Sequence, residues 1–242
     1  EPLAYSNHAA TPLAFVAHDS RGERRFSFYR NATADLLYRA EQAPESLLAR
    51  GGVFHICSNT LTEPAIEATT HALLARAGDQ GCLRSMDVNY RANLWPRPQE
   101  APEAIWRCLT SADIVKMSRE ELNALYAGTG EDAILAELLE VGVRLIVITD
   151  GSNPVRYVTP NQDGTVAPPA VAVVDTTAAG DAFVGGLLAR LASALATGAE
   201  LDAWLANQAA LSDALQFATR CGAFAAARYG AYAALPTPDD GL

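Results

Sequence analysis

The residues best equipped for chemistry lie between 174 and 186, in the order Val174-Asp175-Thr176-Thr177-Ala178-Ala179-Gly180-Asp181-Ala182-Phe183-Val184-Gly185-Gly186. An apolar run ends, small residues make a tight turn, and a helix is expected to start at or near Asp181. The first amides of a helix have no intrahelical partner and point outward, and the helix dipole adds partial positive charge there. Small side chains let an anion approach those donors closely, which makes this turn a candidate anion hole of backbone atoms. Asp181 stands on its rim, where an ionised carboxylate can accept the proton of a hydroxyl whose oxygen attacks a phosphoryl group. An isolated Ala-Gly-Asp would mean no more than a capped helix with packing glycines; the whole string points to phosphoryl chemistry.

Such a turn must be carried by a rigid scaffold, and from residue 53 onward apolar runs and helical patterns alternate. Strands are expected at 53–57, 82–88, 112–116 and 144–149, with two more near 155–159 and 170–174. Helices are expected from Pro64, which suits a first helical turn and precedes apolar Ile66, Leu73 and Leu74, and around 102–109 and 131–141. Ser118 and Glu121 have the spacing of a capping box at the start of another. Long Ala-rich helices close the chain near 181–196 and 213–228. The run Arg144-Leu145-Ile146-Val147-Ile148-Thr149 is apolar on both faces, as a central strand covered on both sides must be. This alternation predicts an α/β fold, a three-layer α/β/α domain over residues 1–242 with a mostly parallel central sheet. Residues 13–18 and 24–29 differ: they read as two antiparallel strands joined by Asp19-Ser20-Arg21-Gly22, projecting from the main sheet.

Bulk properties narrow the partners. Half of the 242 residues are hydrophobic, enough for a sizeable core, and the net charge is −10 with no basic run. That balance argues against a nucleic-acid partner, because duplex binding is driven by neutralising phosphates. The apolar stretches read as too short or too interrupted to span a bilayer. Glu1-Pro2-Leu3-Ala4-Tyr5-Ser6 lacks the basic start and apolar core of a signal peptide. The four cysteines, Cys57, Cys82, Cys108 and Cys221, have no metal or CxxC spacing and are expected as reduced thiols in a cytoplasmic protein. The four histidines show no ligand spacing either. Gly128-Thr129-Gly130-Glu131-Asp132-Ala133 has the letters of a dinucleotide fingerprint, but it follows a helix instead of a strand.

The 174–186 string is similar to the C-terminal signature of the PfkB, or ribokinase-like, carbohydrate kinases, DTxGAGD followed by an apolar helix. By that resemblance Asp181 is the catalytic base, and the Ala178–Gly180 amides hold the transferred phosphate. Ala178 replaces a glycine of the pattern; if the position needs positive φ, the exchange costs about 1–2 kcal/mol. Further likenesses follow in order and are closest to the fructokinase members. Phe28-Tyr29-Arg30-Asn31 with Ala34-Asp35-Leu36-Leu37 resembles FYRNPSAD of the lid, which makes Arg30 and Asn31 candidate substrate contacts. Asp87-Val88-Asn89-Tyr90-Arg91 and Leu94-Trp95-Pro96 resemble DPNxR…LWP, placing Asn89 and Arg91 near the phosphate path. Ser118-Arg119-Glu120-Glu121 resembles N-x-x-E, with Glu121 acting on Mg²⁺ through water. Thr149-Asp150-Gly151-Ser152-Asn153-Pro154 aligns with T-x-G-x-x-G, giving Thr149 and Gly151 to the nucleotide although Pro154 replaces the second glycine. Ala218 and Gly222, on the last Ala-rich helix, are implied on the adenine side.

The resemblance implies ATP and Mg²⁺, with K⁺ as a further candidate, and a homodimer. It covers this chain from the lid strands at about 11–31 through a nucleotide and phosphate half at about 82–242. The family's earlier strand, sugar-site Asp and Gly-Gly segment are not found, so the domain is expected to be incomplete at its N-terminus. The implied reaction is ATP-dependent phosphorylation of fructose to fructose 6-phosphate. 2-Keto-3-deoxygluconate or another sugar is the alternative acceptor. A homologue or fragment that binds nucleotide without turnover is the alternative of another class.

Overall fold

In the computed structural model, residues 4–18, 24–48 and 52–242 are described. They fall into two compact units, Glu1–Ala112 and Asp113–Leu242. The expected connection Asp19-Ser20-Arg21-Gly22 and the first three residues of the chain lie outside the described residues.

The first unit opens with β1 (Leu13–His18) and β2 (Arg24–Tyr29), an antiparallel pair in the register Leu13↔Tyr29 to His18↔Arg24. Phe26 and Phe28, two apart and therefore on one face, stack with ring centroids 6.1 Å apart. Next comes β3 (Val53–Cys57), then α1 (Pro64–Asp79), whose Pro64 occupies the first turn as its missing N–H allows. Ile66, Leu73, Leu74 and Ala77 recur at helical spacing and are all buried. β4 (Leu83–Asp87) pairs in parallel with β3, and α2 (Ala101–Leu109) follows.

The second unit begins with β5 (Ile114–Ser118) and α3 (Arg119–Leu125). The Ser118 hydroxyl accepts the Glu121 amide at 3.1 Å, and the Glu121 carboxylate accepts the Ser118 amide at 2.8 Å, so the capping box forms as its spacing implies. Then come α4 (Glu131–Glu140) and β6 (Leu145–Asp150), which lies parallel to β5. Leu145, Ile146, Val147 and Ile148 are fully buried, as a run apolar on both faces must be. The Gly128–Thr129–Gly130 stretch joins two helices, so it has no strand to launch a phosphate-binding turn.

Antiparallel β7 (Asn153–Thr159) and β8 (Gln162–Val166) complete the strands of this unit, making its sheet mixed. β8 was not foreseen: Gln162-Asp163-Gly164-Thr165 has no apolar pattern, and only the turn at Pro160-Asn161 announces it. Its Gly164 faces Tyr157, whose hydroxyl would sit 2.6 Å from a Cβ there, so the ring takes the space a side chain would need. The strand expected at 170–174 does not exist. Alternating Ala and Val set a face but not a partner; Val171, Val173 and Val174 stay exposed, and the Val174 amide donates to the Ala226 carbonyl at 2.8 Å.

α5 (Ala179–Ala196), α6 (Leu201–Ala206) and α7 (Gln208–Ala226) close the chain. Contrary to the sequence expectation, α5 is long and apolar enough by composition to cross a membrane. Its apolar face, with Ala182, Phe183, Leu187 and Leu191, is instead buried within this unit, where α5 packs along α7. The two helices approach closely because position 186 is glycine: a Cβ there would stand 2.9 Å from the Cys221 sulfur and 3.2 Å from the Ala218 Cα. Cys82, Cys108 and Cys221 are buried free thiols and Cys57 a half-buried one. Burial pushes the Cys108 thiol up to about 12, as inert core packing requires.

Candidate active site

The start of α5 is built from several anchors. Asp175, buried at the end of the exposed segment, accepts the Thr177 amide at 2.9 Å and its hydroxyl at 2.6 Å on one oxygen, and the Gly230 amide at 3.2 Å on the other. It thereby ties the turn to the chain beyond α7. Sequence reasoning passed over this organising role; the Asp-x-Thr spacing of a side-chain turn was the available signal.

Ala178 caps α5 in the left-handed region at φ 61°, ψ 5°. The conformation that the family pattern meets with glycine is therefore required here, and alanine adopts it at a cost of about 1–2 kcal/mol. Ala178→Gly removes that strain but adds about 0.4–1 kcal/mol of unfolded-chain entropy. A net gain of about 0.5–1 kcal/mol is expected, read as a higher urea midpoint at unchanged slope.

The Ala179 amide donates to the Thr176 carbonyl at 3.2 Å, so of the three expected anion-hole amides this one is already engaged within the turn. The first intrahelical bond of α5 runs from Ala182 to Ala178 at 2.8 Å, which leaves the amides of Gly180 and Asp181 without an intrahelical acceptor. The Asp181 amide is a donor the sequence reading did not include. The Asp181 side chain is exposed on this first turn.

Ala179 and Gly180 of this turn open on a cavity of about 480 Å³. Thr149, Gly151, Ala179, Gly180 and Gly222, each expected at the phosphate or nucleotide, line it together with Thr176. Pro168, Pro169, Val171, Val173 and Phe183 make an apolar part of the wall, so the segment that fails to form a strand serves as lining. Gly151 turns the two-residue link between β6 and β7 at φ +56°, and Pro154 lies just past the register irregularity of that hairpin, before the β8 ladder begins.

Ala218 does not line the cavity. Helical periodicity puts Thr219, Gly222, Ala223 and Ala226 on the cavity face of α7, whereas Ala218 is fully buried on the face that meets Gly186 of α5. Gly222 also has a packing role, since a Cβ there would stand 3.1 Å from the Ala179 carbonyl oxygen.

In the first unit, Arg30 donates from Nε to Asp35 at 2.6 Å, from Nη1 to the Thr62 hydroxyl at 2.8 Å and from Nη2 to the Asn59 carbonyl at 2.8 Å. These bonds make it an anchor between the end of β2 and the segment leading into α1. Burial works to raise the Asp35 carboxyl, but the Thr33 hydroxyl and the Arg30 guanidinium outweigh it and hold it below its ordinary value. The stability this pair contributes is present at neutral pH and is lost as pH falls through that lowered value. Arg30→Ala is expected to cost about 1.5–3 kcal/mol in urea unfolding, the range for hydrogen bonds to a charged group.

Asn31 is exposed beside Ala32, and Asn89 follows β4; Ala32 and Asn89 hold φ of 49° and 39°. With Ala178 they are the non-glycine residues of positive φ among the described residues, and each lies in or beside a candidate segment. Arg91 is exposed, donates to the Tyr90 carbonyl at 3.0 Å and lies 5.9 Å from the Phe26 ring centre, while Asn93 donates to the Phe26 carbonyl at 2.8 Å.

Among the described residues no three of His, Cys, Asp or Glu converge as a ready ligand set for a metal. A hard cation that arrives on nucleotide phosphates keeps its own waters and needs only one or two carboxylates. Glu121, one of the buried carboxylates, has one oxygen on the Ser118 amide.

Open amides at a helix start, an exposed aspartate on the same turn and a cavity lined by Ala179 and Gly180 lie together on an α/β scaffold. Comparison with known proteins carries this further: the chain belongs to the pfkB family of carbohydrate kinases, whose pattern matches residues 2–238. It is 38% identical to fructokinase-2 of Zea mays over 98% of this chain and 69% of that protein. The ribokinase-like fold is shared with solved structures. A fructokinase with bound ATP from Xylella fastidiosa superimposes with a TM-score of 0.87 at 37% identity, covering 96% of this chain and 72% of that one. The fructokinase of Vibrio cholerae O395 in its fructose-, ADP- and calcium-bound form gives 0.85 at 33% identity, over 99% and 75%.

Proposed function

We propose that this chain transfers the γ-phosphoryl group of ATP to a hydroxyl of fructose, forming fructose 6-phosphate and ADP. The observation that carries the reading is the start of α5, where Asp181 is exposed beside the Gly180 and Asp181 amides, next to Gly180 of the cavity lining. The sugar oxygen forms its bond to phosphorus as the bond to the bridging oxygen of ADP breaks, and the hydroxyl proton passes to the Asp181 carboxylate. The Gly180 and Asp181 amides face the charge that builds on the transferring oxygens, and they need no reorganisation because Asp175 and Ala178 already hold the turn. Bound Mg²⁺ would neutralise phosphate charge, with Glu121 reaching its water shell. The apolar wall with Pro168, Val171 and Phe183 suits the adenine base, and Thr149 and Gly151 suit the neighbouring polar parts of the nucleotide.

Fructose as acceptor rests on the names of the relatives above and on the Phe28–Asn31 and Asn89–Pro96 likenesses. Asn31, Asn89 and Arg91 remain candidates for sugar and phosphate contacts on those likenesses alone. A cytoplasmic location, help from K⁺ and a homodimer belong to the same proposal.

The test is ADP release from ATP with fructose, 2-keto-3-deoxygluconate and ribose in parallel. Turnover with fructose, and phosphate on C6 by NMR, is the expected result. Bound ATP with no sugar-dependent ADP would favour a nucleotide-binding protein without turnover.

A further inference from the structure

Arg119 and Arg156 join several elements of the second unit into one charged network. Arg119, the first residue of α3, donates from Nε to Asp150 at 3.1 Å and from Nη1 to Glu131 at the start of α4. Arg156 on β7 donates from Nη1 to the other Glu131 oxygen at 2.9 Å and to Asp132 at 2.7 Å. Its Nε and Nη2 donate to Asp163 on β8 at 3.1 and 2.6 Å. The shared Glu131 side chain is only 17% exposed. Exposed ion pairs taken singly contribute little, whereas several charges held in a network contribute more.

Asp150 is where this network reaches the proposed nucleotide site. Its chain neighbours Thr149 and Gly151 line the cavity, and Asp150 itself does not. The backbone ladder is interrupted at this turn. Pairing of β6 with β7 skips from Ile148↔Arg156 to Asp150↔Asn153, and the skipped residues on β7 include Pro154, which has no N–H to donate. A side-chain tether on Asp150 supplies a constraint that the broken ladder lacks.

We infer that Arg119 and Asp150 are positioning residues of the nucleotide site: their ion pair, braced through Glu131 by Arg156, fixes the Thr149–Gly151 turn in the conformation that lines the cavity. The ligand half of this inference rests on the proposed kinase reading; the fixing of the turn does not. Charge alone would give the two side chains opposite effects on ATP, because losing the arginine removes attraction for phosphate and losing the aspartate removes repulsion. Positioning makes the two losses alike.

The experiment compares the unaltered chain with Arg119→Gln, Asp150→Asn and the double variant, by calorimetric titration of ATP and by amide hydrogen exchange without ligand. Expected are ATP affinities about two- to fivefold weaker in both single variants, and a double variant no weaker than either. Exchange should quicken at residues 149–153 and stay unchanged in α5. Unchanged or tighter ATP binding in Asp150→Asn would overturn the inference, as would losses that multiply in the double variant or unchanged exchange at 149–153. Exchange quickened equally in α5 would also overturn it, making the pair a fold element only. If Arg119→Gln does not fold, Asp150→Asn decides by the same criteria, and failure of both to fold overturns the inference. An unaltered chain that binds no ATP sinks the nucleotide reading and the ligand half with it, while exchange at 149–153 still decides whether the pair fixes the turn.

Discussion

Asp181→Asn is expected to lower turnover with fructose by about 10²–10⁴-fold while ATP affinity stays close to unchanged. Asparagine has nearly the shape of aspartate, and the side chain is exposed on the first turn of α5, so packing is not disturbed. What disappears is the capacity to take a proton from the attacking hydroxyl. The backbone amides of Gly180 and Asp181 remain in place, so in the proposed reaction the phosphate oxygens keep their donors. A first-turn carboxylate contributes about 0.3–1 kcal/mol through the helix dipole, so the melting temperature should move only slightly. Steady-state kinetics beside a calorimetric ATP titration makes the check. Turnover equal to that of the unaltered chain would remove Asp181 from the mechanism.

Gly186→Val is expected to destabilise the fold by about 2–3 kcal/mol, and Gly185→Ala to leave stability unchanged or raise it by up to about 1 kcal/mol. The two glycines are neighbours on α5 with opposite surroundings. A Cβ at Gly186 meets the Cys221 sulfur at 2.9 Å and the Ala218 Cα at 3.2 Å, whereas one at Gly185 meets nothing within 4 Å. Backbone cannot swing aside as a flexible side chain can, so valine at 186 must push α5 away from α7. That displacement carries the helix start with it, and reacting groups tolerate little misplacement. Turnover in Gly186→Val should therefore fall along with the urea midpoint, while Gly185→Ala keeps full activity. Equal midpoints for both variants would show that the interhelical contact is not as close as described.

The features legible from the chain alone were those that depend on local pattern. Ser118 and Glu121 announce their capping box by spacing, Pro64 its first helical turn, and Leu145–Ile148 a strand buried on both sides. The Asp175–Asp181 string announces a tight turn and a helix start by its small residues. The parts that stayed hidden depend on partners distant in sequence. Ala170–Val174 has strand composition but no strand beside it among the described residues, and polar β8 exists because Tyr157 and its neighbours pair with it. Ala218 and Gly222 look alike in an Ala-rich run and share one side of α7, yet Ala218 is fully buried against Gly186 while Gly222, a turn further on, lines the cavity.

By itself the sequence determined the α/β class, the kinase family and the helix start around Asp181, because strand burial, tight turns and helix starts each need particular residue types at short spacing. Only the tertiary structure decided that Ala178 must hold a left-handed conformation, that Arg30 anchors the segment before α1, and that Arg119 ties down Asp150 between two residues of the cavity wall. Those outcomes follow from how closely separate elements approach, and distance between elements is a property of packing that no local pattern encodes.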